Sequence, residues 1–444
     1  MIAAHVSLPN WHRLALLCLL LVLSLNVSAV DAQAPIHEGV ASCASGTCHG
    51  AIEAATDGRI LGNEYVTWTR RDAHARAYAT LQSPQSQRIA GKLGLPSAVT
   101  AQICLDCHTD NVPAEQRGAR FQLSDGVGCE ACHGGAGPWL ASHTTGKATH
   151  ADNLKAGLYP TDTPVERAKL CLSCHFGDDT KFVTHRLMGA GHPRMSFELD
   201  TFTALQPAHF RVDADYRQRK SGATGVHVWA QGQAVAVTQF LDNFIRSLDK
   251  HNELFPELVF FDCHACHHLM RDKRWQPQPL VGLGPGRVRL NDAHFLMLRH
   301  IVTRVEPALG AQLAQQIRTL HQATTASHQA TRAQAMSLRA HVDSLGPRIA
   351  AHDFTATEMR GMLDAIIMEG QRGEDQDYVA AEQATMAIAT LTAALENAGA
   401  LSHAQTLSIN QALAPLYDAV QHDEHYRPAQ FSQALRKVRA ALPR

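Results

Sequence analysis

Apolar positions along the chain fall into three patterns. From Leu14 to Leu25 they form a run of 12 residues interrupted only by Ser24, preceded by His12 and Arg13 and followed by the small-residue sites Val27-Ser28-Ala29 and Ala32-Gln33-Ala34. A secretory signal has an apolar core of about 7–15 residues, whereas a bilayer span needs ~20. The run therefore predicts a cleaved signal peptide over residues 1–34, with a mature start near Pro35 or Val30. Cys18 lies inside the run after Leu16-Leu17, with no small residue before it, which argues against a lipoprotein anchor. No other segment is long and apolar enough to span a membrane, so the mature protein is expected to be soluble and periplasmic.

The C-terminal pattern is helical. Residues 293–320, 354–372, 376–398, 403–420 and 428–441 are rich in Ala, Leu, Gln and Arg, with apolar residues at helical spacing. Asp375, Asp377 and Gly399 punctuate them, and Gly346-Pro347 marks a further break. Residues 291–444 thus read as an antiparallel helical bundle, whose His321, His328 and His341 are expected to be solvated. Between the two lies a less regular region, 35–290. Its stretch with Gly118, Gly126, Gly128, Gly134, Gly135, Gly137 and Gly146 argues for loops over long helices. The fold class expected is mainly α, a loop-rich region followed by a bundle.

Composition sharpens the middle region. Hydrophobic residues make up 45% of the 444, but aromatic ones only 6%, so bulky apolar surface has to come from elsewhere. The net charge of −1 gives no reason to expect nucleic acid or an anionic membrane as partner. Of the 11 cysteines, Cys18 leaves with the signal and the other ten form five pairs. Four pairs have the form Cys-x-x-Cys-His: Cys104/Cys107/His108, Cys129/Cys132/His133, Cys171/Cys174/His175 and Cys263/Cys266/His267. The fifth, Cys43/Cys48/His49, has four residues between its cysteines.

This spacing belongs to covalent c-type haem. Two thiols add to two vinyl groups on one porphyrin edge, and the adjacent His becomes the proximal iron ligand. The widened loop of the first motif still reaches both vinyls. Zinc and disulfides are the competing readings. Structural zinc needs four ligands, with no requirement for His after every pair. Disulfides would not explain why all five pairs are followed by His. Five haem c groups are therefore expected within residues 35–290, roughly 50 residues for each. That is too little chain for a separate core around each, so the haems must pack near one another. Only 20 residues separate His108 from Cys129, which makes haems two and three expected neighbours.

Each iron can take a sixth ligand, and 18 of the 27 His lie between His37 and His300. His74 sits in Trp68-Thr69-Arg70-Arg71-Asp72-Ala73-His74-Ala75-Arg76-Ala77-Tyr78, read as a short helix presenting one ring. His143 and His150 follow the third motif in a Gly- and Thr-rich loop; His185 and His192 follow the fourth. His192 stands between Gly191, which permits unusual backbone angles, and Pro193, which forbids helix continuation. His209, in Gln206-Pro207-Ala208-His209, resembles that arrangement. The metal-ligand set expected is His49, His108, His133, His175 and His267 with His74, His143, His185, His192 and His209. His268 adjoins His267 and cannot reach the opposite face of the same iron. Met188 and Met195 are rival ligands that would raise the potential, but the wealth of His favours bis-His iron.

With these motifs in place, Trp68…His74-Ala75…Tyr78, the closely spaced second and third motifs and His185…Gly191-His192-Pro193 resemble a known family. It is the family of tetrahaem cytochromes c that accept electrons from hydroxylamine oxidoreductase in ammonia oxidisers, with its multihaem relatives. The resemblance runs from Ala41 to about Arg194, roughly a third of the chain. It implies stacked, mostly bis-His haems and electron transfer, and it allows one haem with an open site. A fifth haem, a widened first motif and a long helical tail depart from it. A weaker resemblance is to pentahaem nitrite reductases, which also have long C-terminal helices. Their catalytic haem usually has a proximal Lys, whereas all five motifs here end in His.

Three functions remain open on these grounds. One is a periplasmic electron carrier working with redox protein partners, a quinol dehydrogenase or other cytochromes. Another is an enzyme binding a small nitrogen or sulfur compound at one open-site haem, with Arg186, Arg194 or Arg211 holding an anion. The competing role for those arginines is pairing with haem propionates. The third is a scaffold role for the helical region. The oligomeric state is not readable from the sequence.

Overall fold

A computed structural model describes residues 34–56, 60–223, 225–250, 256–268, 281–284, 286–373 and 377–443; the expected signal segment up to residue 33 and Asp375 lie outside them. The protein is mainly α, as expected. Extended pairing among the described residues is confined to three isolated bridges, His37 with Arg117, Gly177 with Phe182, and Phe261 with Leu290. No described helix is long and apolar enough to cross a membrane.

The helices that matter below are α1 (Glu64–Arg71), α2 (Pro84–Leu93), α3 (Pro164–His175), α4 (His185–Ala190), α5 (Leu199–Leu205) and α6 (Val226–Lys250). They continue with α7 (Ala293–Val305), α8 (Pro307–Thr324), α9 (His328–Ala350), α10 (Ala356–Arg372), α11 (Tyr378–Asn397), α12 (His403–Ala419) and α13 (Pro428–Ala441). Between Thr109 and Thr149 only short pieces form, the longest being five-residue helices, in keeping with the glycines there.

The C-terminal starts follow local chemistry. Thr355 with Glu358 and Ser402 with Gln405 make capping boxes at α10 and α12, and the Asp377 side chain caps α11 at the Ala380 N–H. Each such cap satisfies backbone donors that a first turn leaves open. The structure departs from the sequence pattern in three places. The segment 293–320 is two helices, because Pro307 offers no N–H and holds Glu306 extended (φ −158°, ψ 110°). A helix not foreseen, α9, runs through Gly346-Pro347 to Ala350. Pro347 falls in its last turn, where a lost hydrogen bond interrupts little. Nor is His321 solvated: it is 1% exposed, its Nδ1 donating to the Ile317 carbonyl at 2.9 Å and its Nε2 3.4 Å from Asp292. His328 is exposed, with its ring 2.8 Å from the Leu248 carbonyl, and His341 is half-buried against Gln316.

The main core runs from Val226 to Val438 and includes Trp229, Phe244, Phe295, Ile366, Leu391 and Leu435. α6 packs on α7, α9 and α11, although it precedes residue 290, and it reaches α3 and α5 on its other side. Three smaller clusters lie earlier, around Leu172, Leu105 and Leu187. The fifth motif is tied to the C-terminal helices through backbone. Asp262 N–H donates to Arg289 at 2.9 Å, and Asn291 N–H donates to Phe260 at 2.8 Å.

Candidate functional site

The Cys-x-x-Cys-His spacing suits one helical turn, because residues i, i+3 and i+4 share a face. The second motif lies in helix Gln102–His108, the third in Cys129–His133 and the fourth in the last turn of α3. The fifth takes a 3-10 turn, Cys263–Ala265. The widened first motif closes differently: the N–H groups of Cys48 and Gly50 both donate to the Ser45 carbonyl at 2.9 Å. A side chain on Gly50 would lie 2.0 Å from the Ala44 carbonyl oxygen, so only glycine lets this loop fold back.

The five motif histidines each face a second imidazole. Ring centroids are 6.1 Å apart for His49 and His143, 6.1 Å for His74 and His175, and 6.4 Å for His108 and His192. The remaining pairs are His133 with His209 at 6.4 Å and His185 with His267 at 6.1 Å. Two imidazoles bound through Nε2 on opposite faces of one metal, each at about 2 Å, put their centroids about 6 Å apart. The separations thus fit an iron between the rings, and a haem c anchored on the adjacent cysteines fits this chain.

Local structure aims the second rings. α1 stops at Asp72, whose extended backbone (φ −82°, ψ 133°) starts a 3-10 turn carrying His74. His74 is therefore on a turn after the helix, where the sequence pattern suggested one helix. α4 bears His185 at its first residue, and Gly191 ends it at φ 117° just before His192. One short helix thus presents rings to two different motifs, the fifth and the second. His143 and His150 lie in short helices, Leu140–Thr144 and His150–Lys155, where a loop was expected. The second is nucleated by the Thr149/Asp152 capping box. His150 turns its Nε2 to Asp162 at 3.2 Å and faces no motif histidine.

The other ring nitrogen is held in several pairs. His49 Nδ1 lies 3.0 Å from Glu64 Oε2, and His74 Nδ1 lies 2.9 Å from Asp72 Oδ1. His108 Nδ1 donates to the Ala77 carbonyl at 3.0 Å and His192 Nδ1 to the Pro193 carbonyl at 2.8 Å. His143 Nδ1 meets the Asn153 amide at 3.4 Å. Because Asn153 Oδ1 is buried and unpartnered, turning the amide over makes that oxygen the acceptor of the His143 proton. Each of these contacts leaves Nε2 free to ligate a metal. Burial pushes the His133 and His175 imidazoles down to about 4, towards the neutral form that metal ligation needs.

Glu64, Asp72 and Asn153 were not among the expected site residues. Only Asp72, two residues before His74, left a trace in the sequence. Spacing alone cannot assign Glu64, 15 residues from His49, or Asn153, ten from His143.

The motifs also approach one another. The Cys43 and Cys129 thiols lie close enough to perturb each other's ionisation, as do those of Cys107 and Cys174. Phe197 and Phe202 flank the His175 ring at 5.1 and 5.5 Å. Met188 and Met195 pack against the apolar cluster of Ile89, Val183, Leu187 and Ala190. Arg194 pairs with Glu382 at 3.0 Å and lies 4.8 Å over the Tyr378 ring, while Arg211 donates to the Ala55 and Thr56 carbonyls and Arg186 to Leu93.

Residues 42–134, the span of the first three motifs, match the family model described as cytochrome c554 and c-prime. No curated protein and no solved structure matches the chain. The match supports a c-type cytochrome and, with it, haem-based electron transfer.

Proposed function

We propose that this is an exported electron carrier with five haem c groups, each between two histidines. The observation that carries the reading is the set of five ring pairs at 6.1–6.4 Å, each joining one motif histidine to one of His74, His143, His185, His192 and His209. The cysteines Cys43, Cys48, Cys104, Cys107, Cys129, Cys132, Cys171, Cys174, Cys263 and Cys266 would hold the groups covalently. When bound, haem iron supplies one-electron chemistry between ferric and ferrous states, with a potential set by ligands, burial and hydrogen bonds.

The chain's own residues support a neighbour order for the motifs. The mutual influence of the Cys43 and Cys129 thiols, and of Cys107 and Cys174, supports motif one beside motif three and motif two beside motif four. α4 sets motif two beside motif five, because His192 and His185 lie at its two ends. Its rise of about 1.5 Å per residue keeps those two ends on the order of 10 Å apart. The division proposed is a signal over 1–34, a pentahaem region over 35–290 and a helical region over 291–444. Redox proteins, a quinol dehydrogenase or other cytochromes, are the proposed donor and acceptor, and the periplasm the proposed location.

An enzyme would need a motif histidine facing an open position. The pairing of every motif histidine with a second ring favours the carrier. Pyridine haemochrome assay with intact mass, followed by low-temperature EPR of the ferric protein, tests the reading. Five haems and only low-spin signals are expected. Four haems would remove the Cys43/Cys48 site, and a stoichiometric high-spin signal would favour an oxidoreductase.

A further inference from the structure

The five ring pairs differ in what grips the far nitrogen. His108 and His192, facing each other, both donate to neutral backbone carbonyls. His49 and His74 instead meet carboxylates, Glu64 and Asp72.

We propose that Glu64 and Asp72 are positioning residues that lower the reduction potentials of the haems held by His49 and His74 below that of the haem between His108 and His192. The proposal rests on the bis-imidazole reading above. A carboxylate accepting the Nδ1 proton gives the ring imidazolate character and makes Nε2 a stronger donor. A stronger donor, with a fixed negative charge behind it, favours ferric over ferrous iron. A backbone carbonyl accepts the same hydrogen bond without the charge.

Both carboxylates are built into their places. Asp72 is 4% exposed and also accepts from the His74 N–H at 3.0 Å and from Gln206 Nε2 at 3.1 Å. Glu64 accepts from the Leu61 and Gly62 N–H groups at 3.0 and 3.1 Å. Among the described residues neither has a Lys or Arg ion-pair partner. A buried carboxylate without a cation is costly. A ferric centre across the imidazole supplies the missing positive charge, and reduction removes it.

The two sites lie in motifs one and four. The arrangement therefore gives the carrier unequal stations, with the haem of motif two the more easily reduced.

Spectroelectrochemical titration of the purified holoprotein, with Glu64→Gln and Asp72→Asn, tests this. Each variant should shift one haem, and a different one, to a higher potential. The expected size is about tenfold in that haem's reduction equilibrium constant, about 59 mV for one electron. The EPR signal of that haem alone should change, and Glu64→Asp should restore part of the shift. A variant that still shows five low-spin haems with all potentials unmoved would overturn the proposal. So would a shared shift of all five, since that reads as general loosening. Loss of the bis-His reading itself would show separately, as high-spin iron or fewer than five haems in the unmodified protein.

Discussion

The motif-bearing region and the C-terminal helices are both largely helical, but they are held together differently. From Val226 to Val438 a continuous apolar core forms from side chains alone, with Leu363, Ile366, Ile388 and Leu391 fully buried. Before residue 224 the buried apolar residues form small separate clusters, such as Leu81 with Ala90, Ala98 and Leu105. The facing histidine rings of that region are spaced for a metal rather than packed on each other. The C-terminal helices have a polypeptide core; on the proposed reading, the motif region is a shell that haem completes.

The strongest way to break this comparison is to make the chain without haem attachment. Limited proteolysis with mass spectrometry should then find residues 34–223 degraded while α6 to α13 persist. Equal resistance of both regions would show that the motif region has a sufficient core of its own.

Single ligands come next. His192→Ala or His74→Ala should convert one low-spin haem to high spin and let it bind carbon monoxide, with five haems still attached through untouched thioethers. If the spectrum stays low-spin and no carbon monoxide binds, that residue is not a ligand. The complementary test lies in the other region: Leu391→Ala should cost about 2–5 kcal/mol by denaturant unfolding followed by circular dichroism, leaving the haem spectra unchanged.

A smaller effect is expected at the junction. Glu198 is 2% exposed; burial pushes its carboxyl up to about 7, against hydrogen bonds from Asp200 and Thr201 that lower it. A raised acid pKa means that the folded state holds the proton more tightly. Its contribution is therefore fully present below the unfolded value of about 4.3 and is lost as pH rises through 7, to a total of on the order of 3–4 kcal/mol. Subtracting the pH–stability curve of Glu198→Gln from that of the unmodified protein should expose this slope. A flat difference would mean that folding leaves the Glu198 pKa at its unfolded value.

How much of this could be read in advance depended on range. The cysteine spacing is local, and so are the caps at Thr355 and Ser402. The Gly191-His192-Pro193 turn was legible because glycine permits a left-handed backbone angle and proline forbids helix continuation. Which ring meets which was not: His74 and His175 lie 101 residues apart, and nothing local joins them. Buried polar groups were misread for a related reason. His321 sits in a polar-looking stretch, Thr319-Leu320-His321-Gln322, yet Ile317 and Asp292 take its two nitrogens inside the core. Nor could the role of α6 be read, since it precedes the last motif in sequence but packs with the helices after it.

The ring planes carry magnetic information. They stand nearly crossed for His74 with His175 (86°), His108 with His192 (84°) and His133 with His209 (88°). For His49 with His143 the angle is 9°, and for His185 with His267 it is 38°. An imidazole overlaps with whichever iron dπ orbital lies across its plane. Crossed rings treat the two orbitals alike and leave them almost degenerate; aligned rings split them. Unquenched orbital angular momentum should therefore give three ferric centres strongly axial signals with one dominant g-value. The other two should be rhombic, with three resolved turning points. The resting spectrum can thus sort the sites of motifs two, three and four from those of motifs one and five without any mutation.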